Sequence, residues 1–272
     1  METSNIELDA VIVEGRVLDN IPLSADTSLM TITCPEVARL AGPGRFVKVR
    51  AWPGLEDDQG PLLDRPFSIH RVNGDQLSLL YRVVGPATRL MSYMPPGAPL
   101  QVSGPLGRGL AEVTDARAGL YLAAGGIGLA PMALARDWLG QDCPSTLFYG
   151  ERHGAAQVEE DWLKSWAGDY RAVTEDGSGY GGRGLVTGPL EEALAREVRP
   201  VFACGPKPML AAVSGLGAKY GAPVWASVEA GMACGFGVCL SCSLPLMSGG
   251  RFRVCREGPV VDGLAVDWGR VK

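Results

Sequence analysis

The chain has 272 residues, a length that suits two domains better than one compact core. Apolar residues make up 46% of it and charged residues only 20%, which excludes global disorder. The formal net charge of −5 argues against a nucleic-acid-binding protein, because such proteins usually present a basic face. The acidic stretch 1–9 does not fit a signal peptide, and the Gly/Ala-rich stretch 119–135 does not fit a membrane span. We therefore expect a cytoplasmic protein with no membrane or nucleic-acid partner.

Residues 6–107 have the pattern of short strands separated by glycine and proline. Apolar residues alternate at Val47, Val49 and Ala51, and further β-rich runs cover 28–33, 66–72 and 77–84. Since no convincing helical pattern interrupts these runs, residues 1–110 are predicted to form a small antiparallel β-barrel.

Beyond Gly119 strands and helices alternate. The apolar run 120–124 leads into a glycine-rich turn and an apolar helical stretch, and similar pairs continue to Tyr220. This alternation is typical of an open, mostly parallel sheet, so residues 111–222 are predicted to form an α/β domain. Residues 223–272, with a hairpin expected around 248–250, are predicted to form a small cysteine-bearing domain.

Four of the seven cysteines cluster near the end of the chain: Cys234, Cys239, Cys242 and Cys255. The C-x4-C-x2-C spacing, with a fourth cysteine further on, is that of plant-type [2Fe–2S] loops. Such a loop must turn sharply to present its thiolates, and Gly235 and Gly237 permit this. A zinc site or buried free thiols remain alternatives, although zinc sites often use paired C-x2-C units and only one is present here.

Two segments of the barrel region carry residues suited to a flavin nucleotide. In Arg65-Pro66-Phe67-Ser68 the arginine can pair with a pyrophosphate, the ring can pack on a flavin and the hydroxyl can hydrogen-bond to it. The segment 81–88 has the form of a strand running into a Gly/Thr turn with donors for phosphate. An ordinary strand with an exposed arginine is the alternative for the first segment.

Signals for a dinucleotide occur in the α/β region. Gly125-Gly126-Ile127-Gly128 follows an apolar strand and opens a helix, which favours dinucleotide binding, with tight strand–helix packing as the alternative. The usual G-x-G-x-x-G is absent, so a different nicotinamide-binding class is expected. Cys204-Gly205 ends a later strand, where ligands of such sheets bind, but a structural cysteine fits as well.

Together these residues resemble the ferredoxin–NADP reductase superfamily, in which a barrel holds FAD and an α/β domain holds NAD(P). Within it, the sequences 104–107, 175–178 and 229–259 resemble the electron-transfer subunits of B-type dihydroorotate dehydrogenases. The resemblance covers nearly the whole chain, and the cysteine motif is its most specific part. It implies three parts: an antiparallel FAD-binding barrel, a parallel-sheet nicotinamide-binding domain and a small C-terminal [2Fe–2S] domain.

The resemblance also implies site residues. The candidate FAD set is Arg65, Pro66, Phe67, Ser68, Tyr81, Arg82, Val83, Gly85 and Thr88. The candidate NAD set is Gly125, Gly126, Gly128, Cys204 and Gly205, and the four clustered cysteines are the candidate [2Fe–2S] ligands. Phe67 replaces the tyrosine that is commoner in the superfamily, which keeps a ring and removes a hydroxyl.

The expected function is that of an oxidoreductase subunit in pyrimidine biosynthesis. Electrons would pass from an FMN-containing dihydroorotate dehydrogenase catalytic subunit through [2Fe–2S] and FAD to NAD⁺, in a hetero-oligomer with that subunit. No catalytic residue for substrate oxidation is expected in this chain, and His70 and His153 are interpreted as core or solvated histidines. Two alternatives remain: an NAD(P)H-dependent reductase subunit that serves an oxygenase, hydrogenase or sulfur-reducing complex, and a non-redox zinc-binding module.

Overall fold

The computed structural model describes residues 10–51, 61–115, 118–165 and 170–271. The first part contains seven strands: β1 (Val11–Pro22), β2 (Thr27–Thr33), β3 (Phe46–Arg50), β4 (Arg65–Ser68), β5 (Arg71–Asn73), β6 (Gln76–Arg82) and β7 (Pro99–Leu106). They form one antiparallel sheet in the order β4-β3-β7-β1-β2-β6-β5. The sheet curls until β4 meets β6, where the rings of Phe67 and Tyr81 lie 6.0 Å apart, centre to centre. The predicted antiparallel barrel is therefore confirmed.

Alternating side chains of these strands fill the barrel interior. The interior residues are almost fully buried: Met30, Ile32, Val47, Val49, Leu77, Leu79, Tyr81 and Val102. Two short helices flank the strands, α1 (Pro35–Ala38) and α2 (Pro86–Ser92). The expectation that the barrel region holds no helix is wrong, because Pro86 presets the first turn of α2 and Gly85 precedes it as the N-cap. Seven residues are too few to show a helical period.

The second sheet is parallel and carries helices between its strands. Its strands are β8 (Leu120–Gly125), β9 (Ser145–Glu151), β10 (Tyr170–Thr174), β11 (Gly182–Arg183), β12 (Val201–Cys204) and β13 (Val224–Ser227). The helices are α3 (Met132–Leu139), α4 (Glu160–Ser165), α5 (Thr187–Arg196) and α6 (Lys207–Tyr220). The order β11-β10-β9-β8-β12-β13 reverses direction between β8 and β12. Ligands bind at such a switch point, where Gly125 and Cys204 end their strands.

The C-terminal segment returns to this sheet. It contains β14 (Ser243–Pro245), β15 (Arg251–Arg253) and β16 (Val260–Asp262). The hairpin of β14 and β15 is antiparallel, as predicted from the glycines at 249 and 250. β16 pairs antiparallel with β13 and becomes the seventh strand of the α/β sheet. Strands on both sides of residue 222 thus share one sheet, and the division of the chain at residues 110 and 222 stays a prediction. Over the described ranges, no helix has the length and hydropathy needed to cross a membrane.

Candidate functional site

Two cavities of about 360 and 400 Å³ lie where the barrel, the parallel sheet and the C-terminal segment meet. Both are lined by Pro66, Phe67 and Ser68 of β4 and by Glu229, which follows β13. We call the first the flavin-side cavity; its other lining residues are Arg65, Leu80, Tyr81, Arg82, Val84, Gly85, Pro86, Ala87, Thr88, Ile127 and Ala130. The second, the loop-side cavity, is completed by Phe46, Ser227, Val228, Ala230, Gly231, Met232, Val254 and Pro259.

The flavin-side cavity brings together eight of the nine candidate FAD residues. Val83 is the exception: it lines a separate cavity on the barrel, and its N–H donates to the carbonyl of Asp26 at 2.6 Å. Tyr81 lies on the wall, but its ring is buried in the barrel core and its hydroxyl donates to Oδ1 of Asn20 at 3.0 Å. Phe67 is only half-buried, so its ring is the aromatic surface that this cavity offers.

Thr88 shapes the turn before α2. Its Oγ1 accepts from the N–H groups of Val84 and Gly85 at 3.0 and 3.1 Å, and it donates to the carbonyl of Gly85. The donors that the sequence pattern offers to a phosphate at these three positions are thus engaged within the turn. The start of α2 nevertheless faces the flavin-side cavity, since Pro86 and Ala87 line that cavity.

Arg82 connects the barrel to the parallel sheet. Its Nη2 donates to Oε1 of Glu151 at 2.7 Å, and its Nε lies 3.5 Å from Oδ2 of Asp26. Nε is buried and has no hydrogen-bond partner among the described residues. The sequence pattern selected Arg82 but not Glu151, because Glu151 follows β9 with no recognisable motif around it.

The candidate glycines on the NAD side have a clear packing role. A Cβ on Gly128 would lie 2.1 Å from the carbonyl oxygen of Cys204, and one on Gly125 would lie 2.4 Å from Sδ of Met209. Gly205 is similarly close to Met209. Gly126 differs because its φ of +57° requires glycine while its Cβ position is free of close contacts. The 3-10 turn after β8 therefore lies directly against the end of β12, and Ile127 and Ala130 reach the flavin-side cavity.

Cys204 lies at the end of β12 near the carboxyl group of Glu229. Burial raises the pKa of Cys204 to about 12, with Glu229 adding to the effect, so its thiol stays protonated. Desolvation by the surrounding atoms also raises the pKa of Glu229. Sequence reasoning did not select Glu229 as a site residue, although an acidic residue directly after an apolar strand was a usable signal. The side chain of Glu229 is exposed yet lines both cavities, and a carboxyl group with a raised pKa in that position is a candidate proton carrier.

The four clustered cysteines lie as two pairs. The thiols of Cys234 and Cys239 contact each other, and Sγ of Cys242 lies 3.3 Å from Sγ of Cys255. Across the described residues, no three His, Cys, Asp or Glu side chains converge as a single metal ion requires. Two pairs fit a [2Fe–2S] centre, in which each iron takes two protein ligands, better than they fit one tetrahedral zinc.

Hydrogen bonds prepare the first pair for metal binding. The hydroxyl of Ser241, together with backbone N–H groups, lowers the pKa of the exposed Cys239 thiol to about 6. Burial acts to raise the pKa of Cys234, but N–H groups of Cys239 and Phe236 outweigh it and lower that pKa. Burial raises the pKa of Cys255 to about 12, and only a bound metal would keep it deprotonated at neutral pH.

The loop between these cysteines is held by its carbonyl groups. Nζ of Lys48, from β3, donates to the carbonyl of Ala233 at 2.5 Å. Nη1 of Arg253, from β15, donates to the carbonyl of Gly237 at 3.2 Å. A barrel strand and the C-terminal hairpin thus both fix the loop. The residues present therefore fit an iron–sulfur centre, and the half-buried ring of Phe67 beside Ser68 fits a flavin at the adjoining cavity.

Comparison with known proteins places the chain in a family. Residues 229–267, which include all four clustered cysteines, match the iron–sulfur cluster binding domain of dihydroorotate dehydrogenase B. Over 264 residues the chain is 34% identical to the electron-transfer subunit of dihydroorotate dehydrogenase B (NAD(+)) of Desulforamulus reducens, which covers 94% of this chain and 98% of that relative. The chain belongs to the family of dihydroorotate dehydrogenase B electron-transfer subunits.

Solved structures show that this dihydroorotate dehydrogenase B family member has a ferredoxin reductase fold. The NADH-dependent reduced ferredoxin–NADP oxidoreductase superimposes with a TM-score of 0.79 at 24% identity, covering 94% of this chain and 90% of the other. A ferredoxin NADP⁺ reductase from Neisseria gonorrhoeae superimposes with a TM-score of 0.65 at 18% identity, covering 80% and 94%. The resemblance found in the sequence and the expected fold class are confirmed, and the chain is an oxidoreductase subunit with an iron–sulfur domain.

Proposed function

We propose that this chain transfers electrons from a dihydroorotate-oxidising, FMN-containing partner subunit to NAD⁺, through a [2Fe–2S] centre at the four cysteines and an FAD at β4. The relatives' names supply the dehydrogenase and NAD⁺. The Neisseria reductase of the same fold holds FAD and NADP. When bound, FAD interconverts the two-electron chemistry of a nicotinamide and the one-electron chemistry of an iron–sulfur centre.

The observation that carries the proposal is the wall shared by the two cavities. Pro66, Phe67, Ser68 and Glu229 line both, so one face of β4 is open to the parallel sheet and to the segment that leads into the cysteine loop. From Glu229 to the first cysteine the chain runs only five residues. A flavin on this wall would be bounded by the nicotinamide-binding sheet and by the cluster loop.

The chain's own residues have distinct tasks in this proposal. Phe67 offers its ring and Ser68 its hydroxyl to the flavin, while Arg65 supplies a cation at the cavity rim. Glu229, whose pKa is raised by desolvation, places a carboxyl group beside both cavities. The GGIG turn seats the start of α3 against β12 and places Gly126 beside Arg82 and Glu151. In this proposal the buried Cys204 forms part of the wall of the nicotinamide site and does not act as a nucleophile.

The exposed side of the cysteine loop is suited to a partner subunit. Cys239 is exposed, and its neighbours Val238 and Leu240 are among the most exposed apolar residues of the described chain. Apolar side chains beside a redox centre are typical of an interface. We therefore place the proposed FMN-containing subunit over residues 238–240, in a hetero-oligomer.

The test is anaerobic purification of the tagged chain from its native host, with an absorption spectrum, iron and sulfide analysis and identification of co-purifying proteins. We expect flavin and [2Fe–2S] spectra and a dihydroorotate dehydrogenase catalytic subunit. Cys239→Ser should lose the iron–sulfur spectrum, whereas the matched control Cys143→Ser, outside the cluster, should keep it.

Three other outcomes of this purification would change or overturn the proposal. The same spectrum with an oxygenase or hydrogenase subunit would keep the electron-transfer role and replace the partner. A colourless protein that contains zinc would overturn the proposal. Retention of the full iron–sulfur spectrum in the Cys239→Ser variant would overturn the assignment of the ligands.

A further inference from the structure

Lys48 is a buried cation that lies between the barrel and the cysteine loop. Only 6% of its side chain is exposed, although it lies on β3 opposite Pro66 of the candidate flavin strand. Its Nζ donates to the carbonyl of Ala233 at 2.5 Å and lies 3.4 Å from the carbonyl of Cys234. The ammonium group therefore binds the backbone at the first of the four clustered cysteines.

Among the described residues, the carboxylate of Asp64 is the ion-pair partner of Lys48, but it does not account for the burial of the lysine. Oδ2 of Asp64 is 3.8 Å from Nζ, beyond hydrogen-bond distance, while Oδ1 of the same group accepts from Nε of Arg50 at 2.7 Å. Lys48, Arg50 and Asp64 together carry one net positive charge. A buried ammonium is costly unless its donors are used, and here the loop carbonyls use them.

The loop itself is built to approach Lys48. A Cβ on Gly235 would lie 2.8 Å from Cδ of Lys48, and its φ is +84°. Glycine at this position, which the sequence pattern explained only by a sharp turn, also makes room for the lysine stem. The contact is therefore part of how the loop is seated on the barrel.

We infer that Lys48 is a positioning residue of the iron–sulfur site, which seats the Ala233–Cys234 backbone on the barrel and raises the reduction potential of the centre that this loop holds. The inference rests on the proposed function, because it requires a [2Fe–2S] centre at the four cysteines. Reduction adds one electron, and hence one negative charge, to that centre. A fixed cation in a site of low dielectric stabilises the reduced form more than the oxidised form.

The position of Lys48 indicates which electron-transfer step the raised reduction potential favours. The same strand pairs with β4, so the lysine lies between the wall assigned to the flavin and the loop assigned to the cluster. A raised potential at the cluster favours its acceptance of an electron from a partner. Lys48 would thus set the driving force of the step that precedes the flavin.

The test compares the midpoint potential of the cluster in purified holoprotein, measured by an EPR-monitored redox titration, in Lys48→Met, Lys48→Arg and wild type. We expect a more negative potential in Lys48→Met and a return toward the wild-type value in Lys48→Arg. The matched control is Lys219→Met, which removes an exposed cation that pairs with Glu191 on a distant helix face. Hydrogen exchange of the 233–239 amides provides a second measurement, which should be faster in Lys48→Met than in wild type or the control.

A further variant keeps the inference testable if Lys48→Met fails to fold. Asp64→Asn removes the compensating carboxylate and should move the midpoint potential in the positive direction. The inference is overturned if Lys48→Met retains its cluster at an unchanged midpoint potential, or if Lys219→Met shifts that potential equally. If Lys48→Met does not fold, an unchanged midpoint potential in a folded Asp64→Asn variant overturns the inference. A wild-type protein without a [2Fe–2S] signal would instead overturn the proposed function itself.

Discussion

Arg82 of the barrel donates from Nη2 to Oε1 of Glu151 in the parallel sheet, across a distance of 2.7 Å. The carboxylate is almost fully buried, and the hydroxyl of Tyr149 also donates to it, at 3.4 Å. The pair lies beside Gly126, whose Cβ position is 3.5 Å from Nη1 of Arg82. One ion pair therefore fixes the barrel side of the flavin-side cavity to its nucleotide side.

Replacing Arg82 by methionine should destabilise the fold, because it leaves Glu151 buried without its cation. We expect a loss of about 2 kcal/mol, below the usual cost of breaking a fully buried pair since Arg82 is partly exposed. Urea denaturation measures this. The control Lys164→Met breaks an exposed pair with Glu160 and should cost clearly less than Arg82→Met. Equal losses in the two variants would show that the Arg82–Glu151 pair stabilises the fold no more than an exposed pair does.

Substitution of Gly128 by alanine should be far more damaging than its size suggests. The new Cβ would lie 2.1 Å from the Cys204 carbonyl oxygen, so the turn after β8 must move away from β12. We expect destabilisation of roughly 3 kcal/mol or more, measured by thermal unfolding. Gly215→Ala in the middle of α6 meets no atom within 4 Å and should stabilise by about 0.5–1 kcal/mol. A well-tolerated Gly128→Ala would contradict the packing role of this turn.

His70 should make stability depend on pH. Burial, followed by the nearby Arg71, lowers the pKa of His70 to about 3, while Nδ1 donates to the carbonyl of Ala130 at 2.7 Å. Between pH 6.5 and 3 the unfolded chain binds a proton that the folded chain does not, so stability falls as the pH falls. This residue contributes a slope of up to about 1.4 kcal/mol per pH unit.

The variant that tests this is His70→Asn, because the asparagine amide can donate to the carbonyl of Ala130 in place of Nδ1. Urea denaturation of His70→Asn from pH 7 to pH 4 should show a shallower decline than that of the wild type. His153→Asn, at an exposed position, is the matched control for the loss of an imidazole. Parallel profiles for wild type and His70→Asn would mean that His70 is protonated in the folded state over this range.

Phe67 should control flavin affinity through its ring. Phe67→Ala removes the aromatic surface of the wall shared by both cavities and should weaken FAD binding by roughly tenfold, or about 1.4 kcal/mol. Phe67→Tyr keeps the ring and should bind FAD nearly as well as the wild type. Isothermal titration of the deflavinated protein provides the affinities. Tyr93→Ala, an exposed ring on a different cavity, is the control, and an equal loss there would discount the assignment.

The parts of this protein that sequence predicted are those with local signals. The cysteine spacing lies within 22 residues, and the strands β2, β3, β4 and β6 of the barrel show their own alternation or β-rich composition. The GGIG turn directly follows its strand. In each case the residues that define the feature are near neighbours in the chain, so no knowledge of packing was needed.

The rest depends on contacts between distant residues. Lys48 and Ala233 are 185 positions apart, and Arg82 and Glu151 are 69 apart. The pairing of β16 with the parallel sheet could not be predicted from the sequence, because a strand of three residues is too short to show an alternating pattern. Glu229 looked like part of a motif, and only its position between the two cavities makes it a candidate for chemistry.

The short segment between Cys255 and β16 ties three regions together. The carbonyl of Gly258 accepts from the N–H of Arg108 at the end of the barrel, and that of Pro259 accepts from the N–H of Val228 after β13. During synthesis all strands of the barrel and the parallel part of the sheet emerge before this segment does. The outer edge of β13 therefore stays unprotected until residues 251–262 arrive, and the fourth thiol enters the fold together with the strand that covers that edge. Maturation of the redox centre and closure of the sheet thus coincide in time.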